Sequence, residues 1–149
     1  MDQRALREFV VDAHRNGYAA GNGDPTGDGG TVVEYVTGNW RYVDRYYGST
    51  AFLGSEIVFF DETPVWGMHY AGEPTGYDGD DEHIYKFLRE ALEQAPVEMP
   101  YRGPRRYAAD SFVYRTVSDG TITRFSGTER IDCEGVPVYR GRFGGGRIE

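Results

Sequence analysis

The sequence predicts an α+β domain: an internally duplicated helix-plus-antiparallel-strands unit, with two helices covering one curved antiparallel sheet. Three observations point there. The chain repeats itself, because Phe52, Gly54, Glu56, Pro64, Val65 and Gly72 recur without a gap 73 positions later as Phe125, Gly127, Glu129, Pro137, Val138 and Gly145. That is six identities in 21 paired positions, where unrelated windows share about one or two. Strand-like segments rich in aromatic and β-branched residues fall into two groups. An apolar stripe at helical spacing precedes each group. Self-similarity of this kind is read before a fold is assigned. It places pseudo-repeats at about 1–76 and 77–149 within a single domain, 1–149, a length typical of one core.

The elements follow in order. Leu6, Phe9, Val10 and Ala13 give a helix over Asp2–Arg15, with Gly17 as a stop. Gly21–Gly30 is too rich in Gly, Asp and Pro to pack and reads as a loop. Strands are expected at Thr31–Thr37, Trp40–Tyr47, Ala51–Asp61 and Pro64–Ala71, the last two joined by a tight hairpin at Asp61-Glu62-Thr63. Gly72–Asp81 reads as a second polar loop. Asp80 or Asp81 then caps a helix over Glu82–Ala95, and Pro96 ends it. Pro100-Tyr101-Arg102-Gly103-Pro104 is a stiff connector. Strands return at Arg106–Ala108, Ser111–Val117, Thr121–Cys133 and Val136–Phe143, with Glu134-Gly135 as the matching hairpin.

Bulk properties exclude several classes. The net charge is −8, with 16 basic against 24 acidic side chains, and an acidic body repels phosphate backbones. No direct nucleic-acid partner is therefore expected. No apolar run approaches a membrane span, and the start lacks the basic-then-apolar order of a signal peptide. A single cysteine, Cys133, excludes an internal disulfide. The expected location is cytoplasmic.

Candidate chemistry centres on the repeated glutamate. Alternate residues of a strand share a face, so Glu129 lies with Phe125, Gly127, Ile131 and Cys133, opposite the polar row Ser126, Thr128, Arg130, Asp132 and Glu134. Glu56 lies with Phe52, Gly54, Val58 and Phe60. A charge on a dry face must be paired, hydrogen-bonded or protonated. Three readings stay open: buried anchors bonded to arginine or tyrosine, walls of a ligand cavity, or an acid/base pair. Arg45, Arg102, Arg105 and Arg106 are the candidate partners. Gly54 and Gly127 remove bulk beside each glutamate, as a small pocket requires. Trp40, Tyr42, Asp44 and Tyr46 share a row suited to a pocket wall or dimer face. His14 reads as a helix-surface residue and His69 as mid-strand. No closely spaced ligand set suggests a metal, and no cofactor is expected.

The ordered set Tyr42-x-Asp44-Arg45-Tyr46-Tyr47-Gly48, Phe52-x-Gly54-x-Glu56, Pro64-Val65-Trp66-Gly67-Met68-x-Tyr70-x-Gly72, Pro100-Tyr101-Arg102-Gly103-Pro104 and Phe125-Ser126-Gly127-x-Glu129 resembles a small domain-of-unknown-function family of bacteria and archaea. That family occurs alone or C-terminal to the helix-turn-helix of Xre-type regulators. The resemblance implies a sensing or partner-binding role and carries no catalytic residue.

The sequence thus favours a non-enzymatic small-ligand-binding or sensing module. Glu56, Glu129 and Arg102 would supply polar anchors, and Tyr46, Trp66, Tyr70 and Tyr139 aromatic walls, for a small cationic or polar ligand. The alternatives are a hydrolase using the paired glutamates and a homodimeric protein-interaction module.

Overall fold

A computed structural model describes residues 1–19 and 23–149. Among them are two helices and nine strands: α1 (Gln3–Ala19), β1 (Asp24–Pro25), β2 (Thr31–Thr37), β3 (Trp40–Tyr47), β4 (Phe52–Phe60), β5 (Thr63–Pro74), α2 (Asp81–Leu92), β6 (Arg106–Ala109), β7 (Phe112–Thr121), β8 (Arg124–Cys133) and β9 (Val136–Arg147). The strands form one antiparallel sheet in the order β1-β2-β3-β4-β5-β9-β8-β7-β6. This is an α+β arrangement, with most of the structure in strands. The sheet does not close, since β1 and β6 are its two edges.

Each half of the sheet is laid from the edge inward. The first runs from β2 to β5, the second from β6 to β9, and β5 pairs with β9 at the centre. Strands β5 and β9 have the same length and are displaced by 73 positions. The equivalence slips by one residue before the β3–β4 turn. Tyr42 pairs with Val58 and Tyr114 with Ile131, while Asp44 pairs with Glu56 and Thr116 with Glu129.

Local chemistry explains the boundaries. Asp61 and Glu62 both take positive φ, 47° and 60°, the backbone of a two-residue hairpin whose twist matches its strands. Glu134 and Gly135 do the same at 50° and 81°. Asp80 caps α2 by accepting from the Glu82 backbone N–H at 3.0 Å. Helix α2 ends at Leu92, with turns before Pro96 rather than a helix to Ala95. Gly17 does not stop α1, which continues to Ala19. A glycine inside a helix costs about 1 kcal/mol relative to alanine, too little to end this one, and a Cβ there would meet Val33 at an ordinary contact distance of 3.5 Å. Of the expected loop over Gly21–Gly30, residues 21 and 22 lie outside the described residues, and Asp24–Pro25 forms a short edge pairing with β2. Strand β5 continues through Gly72 to Pro74 because β9 offers it partners as far as Tyr139.

Two apolar clusters lie on the helix side of the sheet. Leu6, Phe9, Val10 and Ala13 of α1 pack with Tyr42, Val58, Trp66 and Met68. Ile84, Phe87, Leu88, Ala91 and Leu92 of α2 pack with Tyr114, Ile131 and Tyr139. The connector at residues 100–104 packs into the protein. Tyr101 stacks on Phe125 with ring centroids 3.8 Å apart, and its neighbour Arg102 is 4% exposed.

Candidate functional site: a buried carboxylate array beside an open cleft

Three carboxylates are buried on the helix side of the sheet: Asp44 on β3, Glu56 on β4 and Glu129 on β8. Adjacent strands put the first two side by side, since Asp44 and Glu56 are register partners. Each acid meets a different environment.

Glu56 is fully buried and hydrogen-bonds through Oε2 to His14 Nε2 at 2.9 Å. His14 is 2% exposed, which overturns its expected place on the helix surface. It follows Val10 by one helical turn and so shares the apolar face. That spacing was the available signal.

Glu129 is saturated. Arg102 Nη2 donates to Oε1 at 2.7 Å, and Arg102 Nε reaches both oxygens at 3.2 Å. The Tyr139 hydroxyl donates to Oε1 at 2.9 Å and the Tyr114 hydroxyl to Oε2 at 2.6 Å. Burial, then the Glu129 charge, pushes both phenols well above their ordinary range, so they remain donors. The Gly103 backbone N–H donates to Tyr114 at 2.9 Å. The connector is thereby fastened to the sheet at consecutive residues.

Asp44 stands where these two arrangements meet. The Tyr70 hydroxyl donates to its Oδ1 at 2.6 Å, and the Arg102 guanidinium lies 4.9 Å from the Tyr70 ring centroid. Burial raises the Asp44 carboxyl from 3.8 to about 7, and the Glu56 charge adds to the rise. The Tyr70 hydrogen bond, His14 and Arg102 oppose it.

Asp44, itself only 3% exposed, also borders a cavity. A cleft of about 710 Å³ opens between the sheet and the helices, with Tyr42, Asp44, Tyr46, Tyr70 and Arg102 on one side and Tyr85, Leu88 and Arg89 of α2 on the other. Gly54 makes room for this wall. A Cβ there would lie 2.5 Å from the Tyr70 hydroxyl and 2.7 Å from Tyr46 Cβ.

The residues singled out in the sequence separate into two groups. Tyr46, Tyr70 and Arg102 line the cleft, whereas Glu56, Glu129, Trp66 and Tyr139 lie outside its lining. Trp66 is fully buried and donates its indole N–H to the Ile122 carbonyl at 2.9 Å. Arg45 is exposed and paired across the sheet with Ser55, away from the acids. Sequence reasoning placed Asp44 only in an aromatic row. Its alternation with Trp40, Tyr42 and Tyr46 was the signal that a carboxylate would face inward. Among the described residues no cluster of His, Cys, Asp and Glu is arranged to hold a metal ion, and no helix is long and apolar enough to cross a membrane.

A family of domains of unknown function, DUF5680, matches residues 44–148. The chain belongs to this family. The match begins at Asp44 and takes in β4 to β9 with both glutamates. No curated protein and no solved structure matches the chain.

Proposed function

We propose that this DUF5680 domain is a non-enzymatic sensing module that binds a small cationic ligand in the cleft beside Asp44. The observation that carries the reading is a buried carboxylate on an open, aromatic-walled cavity. Three buried acids gather around one arginine and one histidine. Burial and the Glu56 charge disfavour the ionised form of Asp44 against the opposing pull of His14 and Arg102, and a bound cation would favour it. Tyr46, Tyr70 and Tyr85 line the cavity, and the faces of aromatic rings favour a cation over an anion. Arg102 and Arg89 lie deeper and at the rim, and they limit the ligand to a localised positive group rather than a polycation.

In this reading Glu129 positions Arg102, and Arg102 supports the Tyr70 ring. Glu56 and His14 set the charge behind Asp44. Support for a hydrolytic glutamate pair is weaker, because both oxygens of Glu129 already accept several hydrogen bonds.

We further infer that the two halves are copies of one ancestral unit that have diverged in role. The supports are the matched strands, the outside-in order of both halves, and the paired hairpins at Asp61-Glu62 and Glu134-Gly135. The second copy encloses its glutamate with Tyr114 and Tyr139, and the first carries Tyr42 and Trp66 at those places and leaves the cleft beside Asp44.

The test is a thermal-shift screen with tetramethylammonium, choline and a set of primary amines, run at pH 8. A ligand at 100 times its Kd stabilises the folded state by about 2.7 kcal/mol, a shift that is easily read. Asp44→Asn should abolish the shift and keep the fold. If no cation raises the melting temperature, or the variant responds as wild type does, the reading fails.

A further inference from the structure

The opposite face of the sheet carries a feature that the cleft does not use. Arg106, Arg115, Arg130 and Arg140 occupy one continuous cross-strand row, each the register partner of the next across β6, β7, β8 and β9. Glu73 of β5 ends the row opposite Arg140. All four arginines are exposed. Like charges directly opposite one another destabilise a sheet, and this row stacks four. Among the described residues two acids pair with them. Asp132, nearly buried, accepts from Arg130 at 2.9 Å and from Arg115 at 3.3 Å; Glu73 accepts from Arg140 at 2.7 Å. Asp132 is thus a buried carboxylate, 5% exposed, within the polar row of β8. Among the described residues no ion pair forms at Arg106 or Arg142.

A second row runs beside the first, two residues along each strand. It joins Leu53, Ala71, Arg142, Thr128 and Val117 across β4, β5, β9, β8 and β7. Leu53 is 61% exposed and Val117 70%. The two rows border one groove of about 1060 Å³. A cationic line thus lies parallel to a line with exposed aliphatic ends, on a protein whose net charge is −8.

We propose that this face docks an amphipathic acidic helix from a protein partner. The complement must be negative on one stripe and aliphatic on the next. Successive strands are about 4.8 Å apart, close to the roughly 5.4 Å rise of one helical turn. A helix laid along the row therefore offers one carboxylate per turn to successive arginines, which bind carboxylates in a planar fork. Its neighbouring stripe meets Leu53 and Val117. A long nucleic acid fits less well, because the acidic body repels an extended polyanion and the second row offers aliphatic surface rather than stacking rings.

Fluorescence anisotropy tests this on the full chain. The probe is a labelled 14-residue helical peptide with glutamate at i, i+4 and i+8 and leucine on the adjacent stripe. It should bind saturably in 50 mM salt and weaken as salt rises. Arg115→Gln with Arg130→Gln should weaken it at least tenfold. Arg140→Gln with Arg142→Gln, which leaves Asp132 its partners, should do the same, as should Leu53→Asp. Circular dichroism establishes that each variant is folded. The proposal is overturned if a scrambled peptide of the same composition binds as well, if an oligothymidylate of similar charge binds as tightly, or if the folded variants bind as wild type does.

Discussion

Tyr70 donates its hydroxyl proton to Asp44 at 2.6 Å while its ring lies 4.9 Å from the Arg102 guanidinium. One side chain thus touches the acid on the cleft wall and the cation that holds Glu129. The two acidic centres are physically continuous: His14 to Glu56, Glu56 beside Asp44, Asp44 to Tyr70, Tyr70 to Arg102, and Arg102 to Glu129. Packed, hydrogen-bonded groups therefore connect both ends to the cleft.

Stability should fall as pH rises toward neutrality. The Asp44 carboxyl is raised from 3.8 to about 7 in the folded protein. The folded state therefore binds more protons than the unfolded state between those values. Its contribution is complete below about pH 4 and is lost as pH rises through 7. The slope approaches about 1.4 kcal/mol per pH unit within the window. Ordinary carboxylates are almost fully ionised between about pH 5.5 and 7, so melting curves there read Asp44 against little background from other acids. Asp44→Asn keeps an acceptor for Tyr70 and should flatten the slope. A wild-type melting temperature that climbs across this range would sink the argument.

The Arg102–Glu129 pair should be costly to break from one side. Arg102→Met leaves a buried carboxylate with only two phenols, and the loss should be about 3–5 kcal/mol in urea denaturation. Glu129→Gln should cost less than Arg102→Met, because its amide still accepts from Tyr139 or Tyr114. The double variant should recover part of the sum, with a coupling of about 0.5–3 kcal/mol. Strict additivity would show that the pair is not a unit.

Much of the fold was legible because alternation and turn chemistry are local. The bounds of Thr31–Thr37 and Trp40–Tyr47 can be read from aromatic and β-branched runs broken at Gly38-Asn39 and Gly48. The inward aim of Glu56 and Glu129 follows from parity alone. What sequence could not supply depends on other strands. β5 and β9 extend beyond their apolar cores because each supplies hydrogen bonds to the other. The arginine row is invisible along the chain, since its members come from four strands and meet only through register. His14 was placed on the surface because a polar residue late in a helix reads as solvated, although its spacing from Val10 sets it on the apolar face. Asp44 was under-read because a charged residue amid tyrosines looks like strand polarity until its neighbour Glu56 is seen to be dry.

Gly54 should be intolerant of a methyl group, and the damage should reach the cleft. An alanine Cβ would lie 2.5 Å from the Tyr70 hydroxyl and 2.6 Å from its Cζ. Such crowding forces the ring to shift, at about 1–3 kcal/mol for an overpacked core. The moving group is the donor to Asp44, so Gly54→Ala should also weaken cation binding more than a remote substitution of equal stability cost. A variant that melts and binds as wild type does would show that the Tyr70 ring has room to yield.

Ligand affinity should carry the same proton. If a quaternary ammonium ion occupies the cleft, it competes with the proton on Asp44, and it has no proton of its own to lose. Its Kd should be flat above about pH 8 and rise about tenfold for each pH unit well below the Asp44 value of about 7. Isothermal titration at pH 6 in two buffers of different ionisation enthalpy should record release of close to one proton. With Asp44→Asn neither the slope nor the proton release should survive in any residual binding. A pH-independent Kd would place the ligand away from Asp44, even if the protein binds cations.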